Sequence, residues 1–230
     1  MIRYEVKFAA AEVDLPRVRA ELRLLPCLLR ELHPERVVQS IYFDTHEATA
    51  VMDNLAGCSS RRKIRFRWYG EQTGSVKGQL ECKRRENGLG DKKVLSLPRE
   101  IAIEGNTRTG LTRAIAAQSD PFFARMLELR EPSQWISYRR DYLASADGTL
   151  RVTIDRELRA VDLRRSLLLS SSRPTPIPRI LVVEVKADEQ RRESIEHWLQ
   201  YVDFPRGKCS KFVLASLPGE APIASRFRTS

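Results

Sequence analysis

The sequence is poor in cysteine and histidine, with four cysteines and three histidines in 230 residues. The cysteines lie far apart and form no CxxC pair, which argues against a zinc knuckle and against a disulfide framework. We therefore expect a reducing compartment, for which the cytosol is the simplest choice. The histidines are isolated, and each is interpreted as a surface or core residue rather than a metal ligand.

Long apolar runs are also absent. Charges at positions 3, 5 and 7 follow Met1 directly, so no secretory h-region is expected, and no apolar run is long enough to span a bilayer. The sequence thus predicts a soluble, cytoplasmic protein without a transmembrane segment.

Positive charge is in excess, with a formal net charge of +10, while 30% charged and 42% hydrophobic residues are typical of a globular protein. Such an excess implies a polyanionic partner, which could be a nucleotide, polyphosphate, nucleic acid or anionic membrane. Nucleic acid is disfavoured because Tyr4, Phe8, Phe66 and Trp68 fall on the apolar parity of their strands, not among the charges.

Basic and apolar residues alternate along Arg61–Tyr69. With the two-residue period of a strand, Lys63, Arg65 and Arg67 fall on one face, and apolar or aromatic side chains fall on the other. The alternation recurs with mixed charges in segments at residues 2–8, 77–85, 150–155 and 181–188. Each of these predicted strands therefore has one charged and one apolar face.

Two architectures fit this alternation. In the first, an open sheet packs its apolar face on helices and leaves its charged face in solvent. In the second, the sheet closes with its charges pointing inward around a tunnel for a polyanion, and helices cover the outside. The carboxylates recur as Glu-x-Lys, which favours a site for a hard metal ion beside cations that hold phosphate.

The expected fold class is antiparallel α+β, because strands outnumber helices and follow one another through hairpins. Strands are predicted at residues 2–8, 37–43, 61–69, 77–85, 92–97, 135–143, 150–158 and 179–188. Helices are predicted at 15–31, 46–54, 107–131 with a break near 120, 189–202 and 208–217. We expect one domain over residues 1–217 and a flexible tail at 218–230.

A series of short motifs runs through nearly the whole chain. They are Glu5-Val-Lys7, Ser40-Ile-Tyr-Phe-Asp44-Thr, Arg65-Phe-Arg67, Glu81-Cys-Lys83, Tyr138-Arg-Arg140, Arg151-Val-Thr-Ile-Asp155, Glu184-Val-Lys186 and Lys208-Cys-Ser-Lys211-Phe. In this order they resemble the catalytic domain of the vacuolar transporter chaperone (VTC) family, polyphosphate polymerases of the triphosphate tunnel metalloenzyme superfamily. Each motif is short, but their shared order makes the resemblance specific.

The resemblance implies an antiparallel β-barrel around a basic tunnel, in which the γ-phosphoryl group of ATP is transferred to a growing inorganic polyphosphate chain. The catalytic residues implied are Lys7, Arg65, Arg67, Lys83, Arg140 and Arg151. Further phosphate-binding residues would be Lys92, Lys186, Lys208 and Lys211, the last two on a helix that closes one tunnel mouth. Glu184 matches the glutamate that binds Mn²⁺ or Mg²⁺, and Glu5 is the second candidate ligand.

Several assignments keep an alternative. Lys93 competes with Lys92, but it shares the parity of Leu95 and Leu97, so Lys92 is preferred. Lys63 and Arg85 are in phase with the phosphate-binding residues and are also interpretable as rim charges. Glu5, Glu81 and Asp155 are left open between metal ligand and ion-pair partner, and Tyr42 is interpreted as core packing.

The match departs from the hydrolase branch of the superfamily at Arg3, where that branch has the first glutamate of Glu-x-Glu-x-Lys. The departure favours polymerase over triphosphatase. Hydrolysis of triphosphate in the same tunnel, and a module that binds polyphosphate without turnover, remain the alternatives. The sensor domain and membrane segment of eukaryotic VTC subunits are not found, which leaves a separate regulatory partner open.

Overall fold

The architecture is an antiparallel sheet with helices on both faces, seen in a computed structural model that describes residues 3–87, 89–207 and 209–216. The predicted tail at 218–230 and the predicted phosphate-binding residue Lys208 lie outside these residues. None of the helices in the described ranges has the length and apolar sequence needed to cross a bilayer. All four cysteines are free thiols. The extent of the domain, 1–217, stays a prediction.

Strands and helices follow one another along the chain. The strands are β1 (Arg3–Ala11), β2 (Arg30–Asp44), β3 (Arg61–Tyr69), β4 (Ser75–Val76), β5 (Gln79–Glu86), β6 (Leu89–Ser96), β7 (Ile101–Ala102), β8 (Glu131–Ala144), β9 (Leu150–Asp162) and β10 (Ile180–Asp188). The α-helices are α1 (Leu15–Arg23), α2 (Thr49–Leu55), α3 (Arg108–Ala116), α4 (Pro121–Leu127), α5 (Arg192–Leu199) and α6 (Lys211–Ser216).

The predicted helix at 15–31 was wrong in its C-terminal half. α1 ends at Arg23, because Pro26 lacks an amide donor and disfavours helical backbone in the residue before it. Residues from Arg30 onward instead extend β2. The predicted break near 120 separates α3 from α4, where the Asp120 carboxylate caps α4 by accepting a hydrogen bond from Phe123 N at 2.9 Å.

Eight strands form one antiparallel sheet in the order β1-β10-β9-β8-β2-β3-β5-β6, and β4 and β7 form a two-stranded ribbon. The sheet is curled, so that its two ends approach each other. Burial lowers the pKa of Lys83 on β5. The charges of Glu5, Lys7 and Glu184, on β1 and β10, also change this pKa, because the two ends of the sheet lie close together. Within the described residues no ladder joins β1 to β6, so the sheet is a half-barrel. The predicted antiparallel α+β barrel class is confirmed in this form.

The convex face of the sheet is apolar and covered by helices, as the alternation predicts. At one end, α3 and α4 pack on β2, β3, β5 and β8 around the buried rings of Phe66, Trp68 and Trp135. At the other end, α1 and α5 pack on β1, β9 and β10. Each helix pair therefore buries the apolar faces of several strands at once.

Helix α6 lies on the concave face, against the central strands. Phe212 of α6 stacks on Tyr42, with ring centroids 4.7 Å apart and planes at 17°. Val38, Ile136 and Ala160 complete this smaller core. The concave face is therefore apolar beneath α6 and charged to either side of it.

Candidate functional site

Strand register places the predicted cations and carboxylates opposite one another on the concave face. Arg65 pairs with Glu81 across β3 and β5, and Lys7 pairs with Glu184 across β1 and β10. Directly paired residues of an antiparallel sheet point to the same face. The motifs that lie far apart in the sequence therefore meet on one surface.

Glu81 is the centre of the largest cluster and is only 2% exposed. Its Oε2 accepts hydrogen bonds from Arg65 Nε at 2.8 Å and Nη2 at 2.6 Å. Its Oε1 lies 2.9 Å from Lys92 Nζ and 3.4 Å from Arg67 Nη1. Burial opposes ionisation, but the charges of Arg65, Arg67 and Lys92 outweigh it and lower the pKa of Glu81 to about 2. Glu81 is thus an ion-pair partner that orients several cations.

This cluster keeps unused hydrogen-bonding capacity. The Nε–H of Arg67 is buried and has no partner among the described residues, and neither has the buried hydroxyl of Ser40, its register partner on β2. A buried donor without a partner costs free energy. Oxygen atoms of a bound anion would satisfy the Arg67 donor.

A second cluster surrounds Asp155, which is fully buried. Its carboxylate accepts hydrogen bonds from Arg140 Nε at 2.5 Å and Nη2 at 2.7 Å, and Lys211 Nζ lies 2.5 Å from its Oδ2. Burial raises the pKa of Asp155, and the charges of Lys211 and Arg140 more than reverse this, so the net change in its pKa is downward. Asp155, like Glu81, acts here as an ion-pair partner.

A third cluster contains the two predicted metal ligands. Lys7 Nζ lies 2.8 Å from Glu5 Oε1 and 3.3 Å from Glu184 Oε1. Lys186 Nζ lies 3.1 Å from Glu184 Oε2. Burial opposes ionisation of Glu184, but the charges of Lys7 and Lys186 lower its pKa well below the usual range.

The donor set of Glu5 and Glu184 fits a hard divalent cation only in part. The described residues contain no group of three or more histidine, cysteine or acidic side chains that could hold a metal. Mg²⁺ is commonly bound by one or two carboxylates together with substrate phosphates and water. Two adjacent carboxylates therefore suit a metal that arrives with a phosphate ligand.

Two predicted cations carry no ion pair in the described structure. The side chains of Lys83, midway along β5, and Arg151, at the start of β9, both retain solvent exposure. Lys83 faces Lys63 across β3 and β5, and Arg151 faces Lys186 across β9 and β10. By contrast, Lys93 points to the convex side, where its Nζ lies 2.9 Å from Asp120 Oδ2.

Tyr42 was interpreted from sequence as core packing only, and its hydroxyl also belongs to the charged surface. Arg65 Nη1 donates to Tyr42 Oη at 2.9 Å. Burial raises the pKa of Tyr42, but the charges of Arg65, Arg67 and Lys211 outweigh it and lower the pKa. Tyr42 lies two residues after Ser40 in the predicted strand, so both side chains point to the same face. This spacing was the signal that could have placed the Tyr42 hydroxyl on the charged face.

Comparison with known proteins agrees with this geometry. The family model described as the VTC domain matches residues 2–217. No curated protein matches the sequence. Among solved structures, a candidate adenylate cyclase from Vibrio parahaemolyticus superposes with a TM-score of 0.53 at 12% identity, over 94% of this chain and 99% of that one. A candidate adenylyl cyclase from Hippeastrum, described as having a dominant triphosphatase activity, has a TM-score of 0.48 at 13% identity, over 93% and 94%.

A curled antiparallel sheet with a cationic concave face defines a triphosphate-tunnel type of fold. Within that class, the chain belongs to the VTC domain family. The resemblance predicted from the motifs is confirmed. Family and fold together support phosphoryl transfer or triphosphate handling.

Proposed function

We propose that the protein is an ATP-dependent polyphosphate polymerase, which transfers the γ-phosphoryl group of ATP to an inorganic polyphosphate chain on the concave face. The observation that supports this is the convergence of three carboxylate-centred clusters, around Glu81, Asp155 and Glu184, on one curved surface of a VTC-family sheet. Cations outnumber carboxylates in the first two clusters, so the surface is suited to a polyanion.

The arginines and lysines have distinct roles in this proposal. Arg65 and Arg140 each use one edge of the guanidinium group on a carboxylate, which holds the group in place and leaves its remaining N–H donors for phosphate oxygens. The Nε–H of Arg67, which has no partner among the described residues, is a further donor. Lys7 and Lys83 act as point charges. The other proposed phosphate-binding residues are Lys92, Arg151, Lys186, Lys208 and Lys211.

Phosphoryl transfer needs positioning and charge stabilisation more than covalent chemistry from the protein. Glu81 holds Arg65 and Arg67 in place, and Asp155 holds Arg140. These guanidinium groups therefore need little reorganisation when negative charge develops on the transferred phosphoryl group. Glu184 and Glu5 would hold Mn²⁺ or Mg²⁺ beside the phosphates, where the metal supplies a Lewis acid.

A triphosphatase using the same surface is the second candidate. In the described residues β1 and β6 share no ladder, so backbone hydrogen bonds do not close the sheet on that side, which would favour access of water to the phosphates. Water would then replace the polyphosphate acceptor. Binding of polyphosphate without turnover is the third outcome that the experiment must separate.

Incubation with γ-labelled ATP, Mn²⁺ and a short polyphosphate primer tests the proposal. Labelled long polymer is the expected product, whereas free phosphate would indicate the hydrolase and no product the binding module. Glu184→Ala and Arg65→Ala should each abolish product, while Lys93→Ala, on the convex face, should not. Full activity in both site variants would show that the catalytic site lies elsewhere.

A further inference from the structure

Lys63 lies among cations without a carboxylate partner. It is on β3, directly opposite Lys83 of β5, and its side chain is partly buried. Its Nζ donates a hydrogen bond to Ser210 Oγ at 2.9 Å, just before α6 begins. Among the described residues no acidic side chain lies within ion-pair distance of Lys63. Lys7 and Lys211, which are also partly buried, each contact at least one carboxylate.

The charged residues with the largest effects on the pKa of Lys63 are all positive. Lys7 approaches it from β1, Lys83 from β5, and Arg61 and Arg65 from its own strand. Like charges directly opposite on paired strands destabilise a sheet. The residues named here therefore form a site that gains stability when an anion binds.

The acidic groups nearby are already engaged. Asp44, at the end of the adjacent strand β2, accepts hydrogen bonds from the backbone N–H groups of its own turn and of α2. Glu5 and Glu184 contact Lys7 rather than Lys63. None of these three carboxylates forms an ion pair with Lys63.

The protonation of Lys63 reflects this environment. Burial lowers its pKa first, and the charges of Lys7 and Lys83 lower it further, to about 7. Near neutral pH a substantial fraction of the free protein therefore carries an unprotonated amine at this position. A phosphate group beside it would favour the ammonium form and raise the pKa again.

We propose that Lys63, Lys83 and the Ser210 hydroxyl form an additional phosphate subsite for the inorganic chain, and that occupation of this subsite brings a proton onto Lys63. The inference rests on the proposed function, because it takes a triphosphate or polyphosphate as the ligand of the concave face. It changes the role of Lys63 from a rim charge to a ligand-binding residue whose protonation is coupled to binding.

The sign of the pH dependence follows from linkage. Below about pH 6 Lys63 is already protonated in the free protein, so binding takes up almost no proton there. Near pH 8 a larger share of the free amine is neutral, and binding should take up a larger fraction of a proton at this position than at pH 6. Affinity for the phosphate chain should therefore fall more steeply between pH 7 and pH 9 when Lys63 is present.

Calorimetric titration of the metal-free protein with tripolyphosphate, in two buffers of different ionisation enthalpy, measures this uptake. Lys63→Arg keeps a permanent charge, so at pH 8 it should bind at least as tightly as wild type while taking up measurably fewer protons. Lys63→Met should show the same lower uptake and bind about tenfold or more weakly at pH 6. Lys77→Met, an exposed lysine outside the strands, is the matched control and should behave as wild type.

If tripolyphosphate binds and wild type and Lys63→Arg take up equal numbers of protons at pH 8, the subsite proposal is wrong and the proposed function is untouched. If wild type does not bind tripolyphosphate at all, both fail together.

Discussion

Replacing Glu81 with glutamine removes the buried negative charge that holds Arg65, Arg67 and Lys92 together. The pKa of Glu81 falls from its usual 4.5 to about 2 on folding. A pKa that is lower by one in the folded protein corresponds to about 1.4 kcal/mol, so the carboxylate contributes on the order of 3 kcal/mol to stability at neutral pH. Because Glu81 is almost fully buried, solvent screening reduces this value little.

The sign of the effect can be tested by pH. A carboxylate with a lowered pKa contributes its full stabilisation above about pH 4.5 and loses it as the pH falls toward 2. Urea unfolding at pH 7 should therefore show Glu81→Gln less stable than wild type by about 3 kcal/mol, with the difference shrinking between pH 4.5 and pH 2.

Glu86→Gln on the same strand is the control, since its ion pair with Arg84 is solvent-exposed and should contribute less than about 1 kcal/mol. An unfolding free energy for Glu81→Gln within about 0.5 kcal/mol of wild type at pH 7 would refute the reasoning, since the buried cluster would then need no negative centre.

Two further predictions concern the two faces of the sheet. Lys92→Ala should weaken tripolyphosphate binding measured by calorimetry, because Lys92 reaches Glu81 on the concave face, whereas Lys93→Ala should leave binding within about twofold of wild type. Equal losses in the two variants would contradict this assignment. Phe212→Ala removes the ring that stacks on Tyr42 and should destabilise the protein by about 3–5 kcal/mol in urea unfolding. A loss below about 1 kcal/mol would show that α6 contributes little to the fold.

Strand periodicity predicts on which face of a sheet a side chain lies, and the limits of this rule are physical. Side-chain direction in a strand has a period of two, so Lys92 could be separated from Lys93 by its phase relative to Leu95. The structure places these two lysines on opposite faces. The same rule predicted that the motifs would share one surface.

Other features depend on which strands become neighbours, and local alternation does not specify that. The role of Glu81 as a common partner of Arg65 and Lys92 requires β5 to lie between β3 and β6 in a particular register. The placement of α6 on the concave face depends on contacts between Phe212 and residues far away in the sequence. The C-terminal end of α1 was mispredicted because Leu25 and Leu29 continue the helical spacing of apolar residues past the end of the helix, which Pro26 limits.

The half-barrel leaves two sheet edges that could recruit a strand from another molecule, and this chain protects each edge differently. Beside β1, the main chain at 205–207 forms backbone hydrogen bonds with Lys7 and Ala9, so that edge is already occupied. Strand β6 has no second neighbour in the described sheet, but consecutive charges run along it at Asp91, Lys92 and Lys93. Charged edge strands resist intermolecular pairing. The charged residues of β6 therefore oppose self-association, and one of them, Lys92, also contacts Glu81 on the concave face.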